Sequence, residues 1–495
     1  MAAAPQVEHP LRAHRKGVAR MWRRSLLAAA AARSLAACSL APVYQPPALA
    51  PAPAAWKEGN DLWKSAAPAD ASDHGQWWKE FGDARLDALE SRLEEANPTL
   101  AVALARYERA AAYAGEAASA LSPQVDLLGS PTRNRQSDNR PLRGSNQPDV
   151  YDADTLQASI NYELDFWGRV RNEVAAGQAE ATAANADLAT ARLSLEARLA
   201  SLYFQLAGDD MQARILHDAV DAYRQAQTLT QNRFEGGVDS ELAVARARTQ
   251  LSDALSQAAE VDVQRALTEH AIASLVGETA TSFSLPPDTH EPQLPDIPAG
   301  VPSALLQRRP DIAAAERRVF AANAGIGIAR AAFYPDFTLS GLLGWQDTGH
   351  GNLFSAGNQI WALGPLAALN LLDGGRRRAQ EREARAAFDE ASGRYRATVL
   401  DAFQQVEDNL ATLEHLRVEA RNEDDAEVSA KEAADIATNR YREGAVNYLD
   451  VVVAQTSYLT AQRAAQSVRV RRLQASVQLI EALGGGWKTS GTSGA

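Results

Sequence analysis

The sequence predicts a mainly α protein with a β-barrel portion, built from one unit used twice, with four transmembrane β-strands and long coiled-coil α-helices in each protomer. Three observations predict it. The two halves of the chain align at a nearly constant offset, two proline-free stretches carry apolar residues at coiled-coil spacing, and short segments alternate apolar with polar residues.

Composition fits a helix-rich chain and narrows the function classes. Of 495 residues only 6% are aromatic, while Ala, Gln, Leu, Arg and Glu crowd long stretches. The formal charge of −12 argues against a nucleic-acid binder, which needs a basic face. One cysteine excludes a disulfide framework and any cysteine-based zinc site. No GxxxxGK[ST], GxSxG or HExxH pattern occurs, so no catalytic, cofactor or metal site is expected and the chain reads as a non-enzyme.

The amino terminus reads as an address label. Residues 1–37 form a signal peptide, with Met1 to Arg20 as an upstream extension and Met21 as the natural start of two arginines and an apolar run. Leu35-Ala36-Ala37-Cys38 resembles the bacterial lipoprotein cleavage box, which makes Cys38 the expected lipidation site, and Ser39 after it implies sorting to the outer membrane. Residues 38–76, rich in proline, read as an extended strap leaving that anchor.

The duplication then orders the rest. Asn97-Pro98-Thr99-Leu100 matches Arg309-Pro310-Asp311-Ile312 at an offset of 212, and Asn232-Arg233-Phe234 matches Asn439-Arg440-Tyr441 at 207. One five-residue length difference explains both offsets. The first repeat spans 77–286, with strands near 123–132 and 155–166 and helices near 169–234 and 238–276. A linker at 287–304 leads to the second repeat, 305–485, with strands near 335–345 and 358–370 and helices near 376–441 and 446–483. Residues 486–495 form a flexible tail.

In the first long helix Leu188, Leu195, Leu199, Leu202 and Leu206 follow coiled-coil intervals, and Val399, Phe403, Val406, Leu410 and Leu413 repeat them. About 65 helical residues make roughly 97 Å at 1.5 Å per residue. Each long pair is a helical hairpin, turning at Gly236-Gly237 and at Gly444.

Between helices the period drops to two. Leu156, Ala158, Ile160, Tyr162, Leu164 and Phe166 alternate with polar residues, as do Phe337, Leu339, Gly341, Leu343 and Trp345, giving strands with one apolar face. The stretches Arg133–Asp154 and Gln346–Gly357 read as polar loops. Four strands cannot close a barrel, and open edges are not tolerated in lipid. Three copies would supply a 12-stranded barrel above a barrel of twelve helices.

Particular motifs resemble a known family. Trp77-Trp78 with Phe81, Asp83 and Leu86, the run Leu305 to Ile312, Leu372-Asp373-Gly374-Gly375-Arg376, and Arg440-Tyr441 through Gly444 to Gln455 are similar to the outer membrane factors, in their nodulation-T type lipoprotein branch. The resemblance implies a homotrimeric, passive duct of a tripartite multidrug efflux system of the resistance-nodulation-division type. It would be lipid-anchored in the outer membrane, extend into the periplasm, and meet a periplasmic adaptor (membrane fusion) protein and through it an inner-membrane pump. It also implies a periplasmic gate, whose first aspartate falls on Asp450 and whose second falls on Val453, a departure suggesting a partly apolar constriction. Tyr441 matches the gate-linked tyrosine, and Gly236, Gly237 and Gly444 fall at the adaptor-contact tips. A type I protein-secretion duct shares the architecture, and a non-conducting coiled-coil scaffold is the remaining alternative.

Overall fold

A computed structural model describes residues 39–49, 56–58, 75–137, 139, 148–288, 292–295, 297, 308–348 and 351–485. Cys38, the signal peptide and the tail lie outside the described residues. The chain divides into two compact units. One contains 108–183 and 316–394 with the start of the strap, and the other contains 48–107, 184–315 and 395–495.

The elements run in the order α1 (Ala84–Ala96), α2 (Pro98–Ser119), β1 (Gln124–Arg135), β2 (Val150–Glu163), α3 (Arg169–Glu235), α4 (Glu241–Leu275), α5 (Pro310–Ala331), β3 (Asp336–Asp347), β4 (Gln359–Ala368), α6 (Arg376–Arg442) and α7 (Tyr448–Ala482), with a short 3-10 turn at Trp77–Phe81. Both α3 and α6 are 67 residues long, and both α4 and α7 are 35. Chain composition is therefore mostly helical, with one small sheet.

In the first unit the four strands form one antiparallel sheet in sequence order. Its register gathers the alternating residues on one face. Leu127 opposes Ala158, Ala158 opposes Leu343, and Leu343 opposes Trp361. One row up, Gly129, Leu156 and Trp345 line up in the same way. Leu127 and Trp361 are about three-quarters exposed, so this apolar face has no cover among the described residues. β1 and β4 are open edges.

Pairing runs further than the apolar alternation. β2 begins at Val150, five residues before the alternation, and Arg133 and Arg135, read above as loop, pair with Asp152 and Val150. Gln346 likewise pairs with Thr155. Backbone ladders need no apolar face where water can solvate the side chains, so sequence alternation marks the greasy band of a strand rather than its ends. At the other end, Leu164 still donates its amide to Phe337, but Phe166 and Trp167 leave the ladder.

The strap docks in this unit through polar contacts. Ser39 Oγ donates to Asn172, Asn323 Nδ2 to the Pro42 carbonyl, and Tyr44 Oη to Glu316 at 2.5 Å. Extended backbone without a partner strand is satisfied here by side chains of α5, Asn323 on the Pro42 carbonyl and Arg330 on that of Leu40.

In the second unit the helices pack chiefly through small residues and a continuous apolar seam. Ile215, Leu216, Val220 and Tyr223 of α3 meet Ala254, Ala258 and Val261 of α4 and Leu459 of α7. Leu416 and Ala420 of α6 meet Val468 and Ala475 of α7. Of the expected coiled-coil positions Leu199, Leu206, Val399, Val406 and Leu410 are buried, while Leu188, Leu195, Leu202, Phe403 and Leu413 are half-buried. Gly208 has a packing reason. A Cβ there would lie 2.4 Å from a Val470 methyl, so α3 and α7 approach only because the position carries no side chain.

The two motifs that carry the internal match turn out to do one job twice. Asn97, the residue before Pro98, donates Nδ2 to the Leu275 carbonyl at the end of α4 and accepts from the Leu100 amide. Arg309, before Pro310, donates Nη1 to the Ala482 carbonyl at the end of α7, while Asp311 holds its other nitrogens at 2.6 and 3.0 Å. Helix carbonyls left open at a C-terminus are closed by a side chain from the start of the neighbouring helix. Asn97→Ala should leave both the Leu275 carbonyl and the Leu100 amide unpaired. The expected loss is about 1–3 kcal/mol, read as a lowered thermal midpoint of the purified protein in detergent.

Candidate functional site

The chemistry-bearing residues of the sequence converge on the turns of the two hairpins, all in the second unit. Both turns close alike. Val238 donates its amide to Arg233 O and Gly237 to Phe234 O, and Ala445 and Gly444 do the same to Arg440 O and Tyr441 O. This paired closure of a helix end needs one residue in the left-handed region. Gly237 (φ 72°) and Gly444 (φ 80°) occupy it, whereas Gly236 has no positive φ and closes the last helical turn by donating to Asn232 O. Ser240 and Asn447 then cap α4 and α7 with their side-chain oxygens.

Tyr441 stands at the last turn of α6 and is only 2% exposed. Its hydroxyl donates to Asp239 Oδ2 at 2.6 Å and lies 3.2 Å from Thr230 Oγ1. Arg233 lies over its ring at 4.8 Å, pairs with Asp239 at 3.5 Å and donates to the Tyr441 carbonyl. Tyr448 packs beside the ring at 5.3 Å and donates to Gln250 Oε1. The result is a polar lock between hairpins, set in an apolar cluster with Ala243, Ala247 and Val451. Burial first, and then the hydrogen bond to Asp239, push the Tyr441 hydroxyl above the usual tyrosine range, and burial does the same to Tyr448.

Asp450 and Val453 face the other way. Tyr448 and Val451 turn into the cluster, so three residues apart on the opposite side Asp450 is exposed in the first turn of α7 and Val453 is 58% exposed. They are neighbours on one helix face. On the other side of α7, next to the lock, a groove of about 390 Å³ runs between α3, α6 and α7, lined by Leu229, Asp435, Tyr441, Arg442, Tyr448 and Gln455 among others.

Asp239, Arg233, Thr230, Tyr448 and Gln250 were not singled out from the sequence. A signal existed in the places where the repeats disagree. At the offset of 207 Tyr441 stands against Phe234, Asp239 against Val446, and Asp450 against Ala243. A duplicated unit that keeps the turn glycine, Gly237 against Gly444, and changes those positions is marking where the two hairpins must differ.

In the second unit, then, the two long hairpins are joined near their turns by a polar lock centred on Tyr441. Comparison with known proteins decides the family. The outer membrane efflux protein family matches residues 89–278 and 301–485. The chain belongs to that family. Its place is the outer membrane and its activity is efflux; family members are transport channels rather than enzymes. It is similar to the pyoverdine export outer membrane protein OpmQ of Pseudomonas aeruginosa, with 31% identity over 92% of this chain and 95% of the relative. The probable efflux pump outer membrane protein TtgC of Pseudomonas putida is 32% identical over 92% and 93%. Among solved structures it resembles the outer-membrane channel OprN, with a TM-score of 0.83, 30% identity, and coverage of 91% of this chain and 100% of that one. The Campylobacter jejuni CmeC outer membrane channel gives 0.82 at 25% identity over 92% and 96%.

Tyr441→Phe keeps the ring and removes both hydroxyl contacts of this efflux protein's hairpin lock. About 1.4 kcal/mol of lost hydrogen bonding should speed amide exchange at residues 230–239 about tenfold. The pH dependence has a definite sign. A hydroxyl whose value is raised on folding stabilises below the ordinary tyrosine value of about 10 and stops doing so as pH rises through the raised value. Wild-type exchange at the turns should therefore accelerate beyond its base-catalysed trend only above pH ~10, and Tyr441→Phe should abolish that extra step.

Proposed function

We propose that this chain is the passive outer-membrane duct of a tripartite small-molecule efflux system, working as a homotrimer. The observation that carries the reading is the sheet, which has one continuous apolar face and two unpaired edges. In lipid those edges cost several kcal/mol per unsatisfied group, and pairing β4 of one copy with β1 of the next removes the cost. Three copies give twelve strands and twelve long helices, with a water-filled bore. Cys38 would carry the lipid anchor, and the docked strap beginning at Ser39 fits that role.

In this reading the hairpin turns at Gly236, Gly237 and Gly444 meet a periplasmic adaptor, which links the duct to an inner-membrane pump of the resistance-nodulation-division type. The pump supplies the energy, because the duct holds no nucleotide motif. Asp450 and Val453, exposed on one face of α7, would line the constriction, one copy from each subunit. Three carboxylates near an axis attract cations, while Val453 leaves the next level apolar. The Tyr441 lock would hold the hairpins closed until the adaptor separates them.

Removing the protein from its host should raise intracellular accumulation of at least one class of toxic amphiphile, and unchanged accumulation across a broad panel would refute efflux by this duct. Purified protein in planar bilayers should conduct as a trimer. Asp450→Ala should raise its single-channel conductance and lower its cation preference, and an unaltered channel would remove Asp450 from the constriction.

A further inference from the structure

The descent from β4 into α6 carries a surface that conduction does not use. Between the two elements the chain exposes Leu371 and Leu372, at 85% and 91%. The next turns hold five arginines, Arg376, Arg377, Arg378, Arg382 and Arg385, against Glu381 and Glu383, in a protein of net charge −12. Part of this charge is spent internally. Arg377 donates to Asp373 at 2.6 Å and lies over the Phe333 ring, and Arg385 shares Glu381 with Arg330. Asp373, held down to about 2 by Arg377 and then the Gly375 amide, is thereby occupied. Arg378 and Arg382, four residues apart and so on one helix face, are exposed and have no acidic partner among the described residues.

The same end of the sheet bears aromatic rings. Asp336 pairs with Ala368, so the start of β3 and the end of β4 are level. There Trp167 stacks on Tyr334 at 4.7 Å, Phe166 meets Phe337 edge-on, and Trp167 Nε1 donates to the Pro335 carbonyl. Rings with a polar handle settle at the boundary between hydrocarbon and water. Counted from the strand ends, the order is then apolar band, aromatic rings and exposed leucine pair together within four residues, and the arginine face beyond them. A phospholipid presents the same order as acyl chain, glycerol and phosphate, and guanidinium is the cation best suited to phosphate oxygens.

We propose that Leu371 and Leu372, with the Arg378–Arg382 face, form a binding surface for anionic phospholipid in the membrane leaflet at this end of the sheet. The leucines lie against acyl chains and the two arginines take the phosphate. The proposal rests on the reading of the sheet as a membrane wall. Leucines this exposed would gain nothing from free phosphate, which fixes the source as a lipid.

The test compares the full-length wild type with an Arg378→Gln, Arg382→Gln double variant in bilayers of phosphatidylcholine alone and with added phosphatidylglycerol. Phosphatidylglycerol should raise the thermal midpoint of the wild type, with half the effect at a mole fraction about thirtyfold lower than for the variant. Conductance in phosphatidylcholine should be identical for the two proteins. Equal responses to phosphatidylglycerol would overturn the proposal. A changed ion selectivity of the variant in phosphatidylcholine would also overturn it, by placing the arginines in the bore, and dissociation of the variant's oligomer there would assign them to a neighbouring copy. Failure of the wild type to conduct in either bilayer would instead sink the membrane-wall reading.

Discussion

Every strand of the sheet has two sides of backbone donors and acceptors, and β1 and β4 each have one side with no partner. In water that is a minor exposure, but in hydrocarbon it is prohibitive, because nothing there replaces the missing hydrogen bonds. An apolar face from Leu127 to Trp361 is what a sheet in hydrocarbon needs, and it supports the proposed membrane wall. The remaining architecture answers this conflict. In the proposed trimer the four described strands would borrow edges from copies of the same chain, and the long helices that continue from them would be gathered in the same number.

Helix packing answers a second constraint, which in the proposed duct is to keep α3, α4, α6 and α7 together without filling a bore. The contacts are made by small residues and narrow seams rather than by a broad core. Gly208 against Val470 sets the closest approach, and Ala254, Ala258 and Ala475 keep neighbouring helices near. At their far ends from the turns, the hairpins are held by side chains that close helix carbonyls, Asn97 on Leu275 and Arg309 on Ala482. Those joints are well satisfied. The turns are joined instead by a polar network around Tyr441, with its hydroxyl on Asp239 and Thr230 and with Arg233 on Asp239 and the Tyr441 carbonyl. In the proposed function this is the attachment that a partner would exchange for its own contacts.

The duplication explains how one molecule has two ends that are joined differently. The repeats agree in helix length, turn geometry and capping, and they differ at Phe234 and Tyr441, Asp239 and Val446, and Ala243 and Asp450. Agreement preserves the scaffold. Difference supplies the lock and the exposed carboxylate, since two identical hairpins would place like groups against like.

The sequence by itself determined the number and order of the long helices, their ends to within a few residues, and the apolar band of two of the strands, β2 and β3. Those features follow from local periodicity and from glycine and proline, which act within a few residues of themselves. It also marked Tyr441, Asp450 and Val453 through motif resemblance. Only the tertiary structure decided which residues meet across the hairpins, such as Tyr441 with Asp239, 202 positions apart, and that the Asn97 and Arg309 motifs close the ends of neighbouring helices. It also decided that β1 and β2 pair beyond their greasy band, because ladder hydrogen bonds are indifferent to side chains that water can reach. Periodicity gives the face a helix will bury, but the choice of partner and register depends on packing distances that no single segment contains.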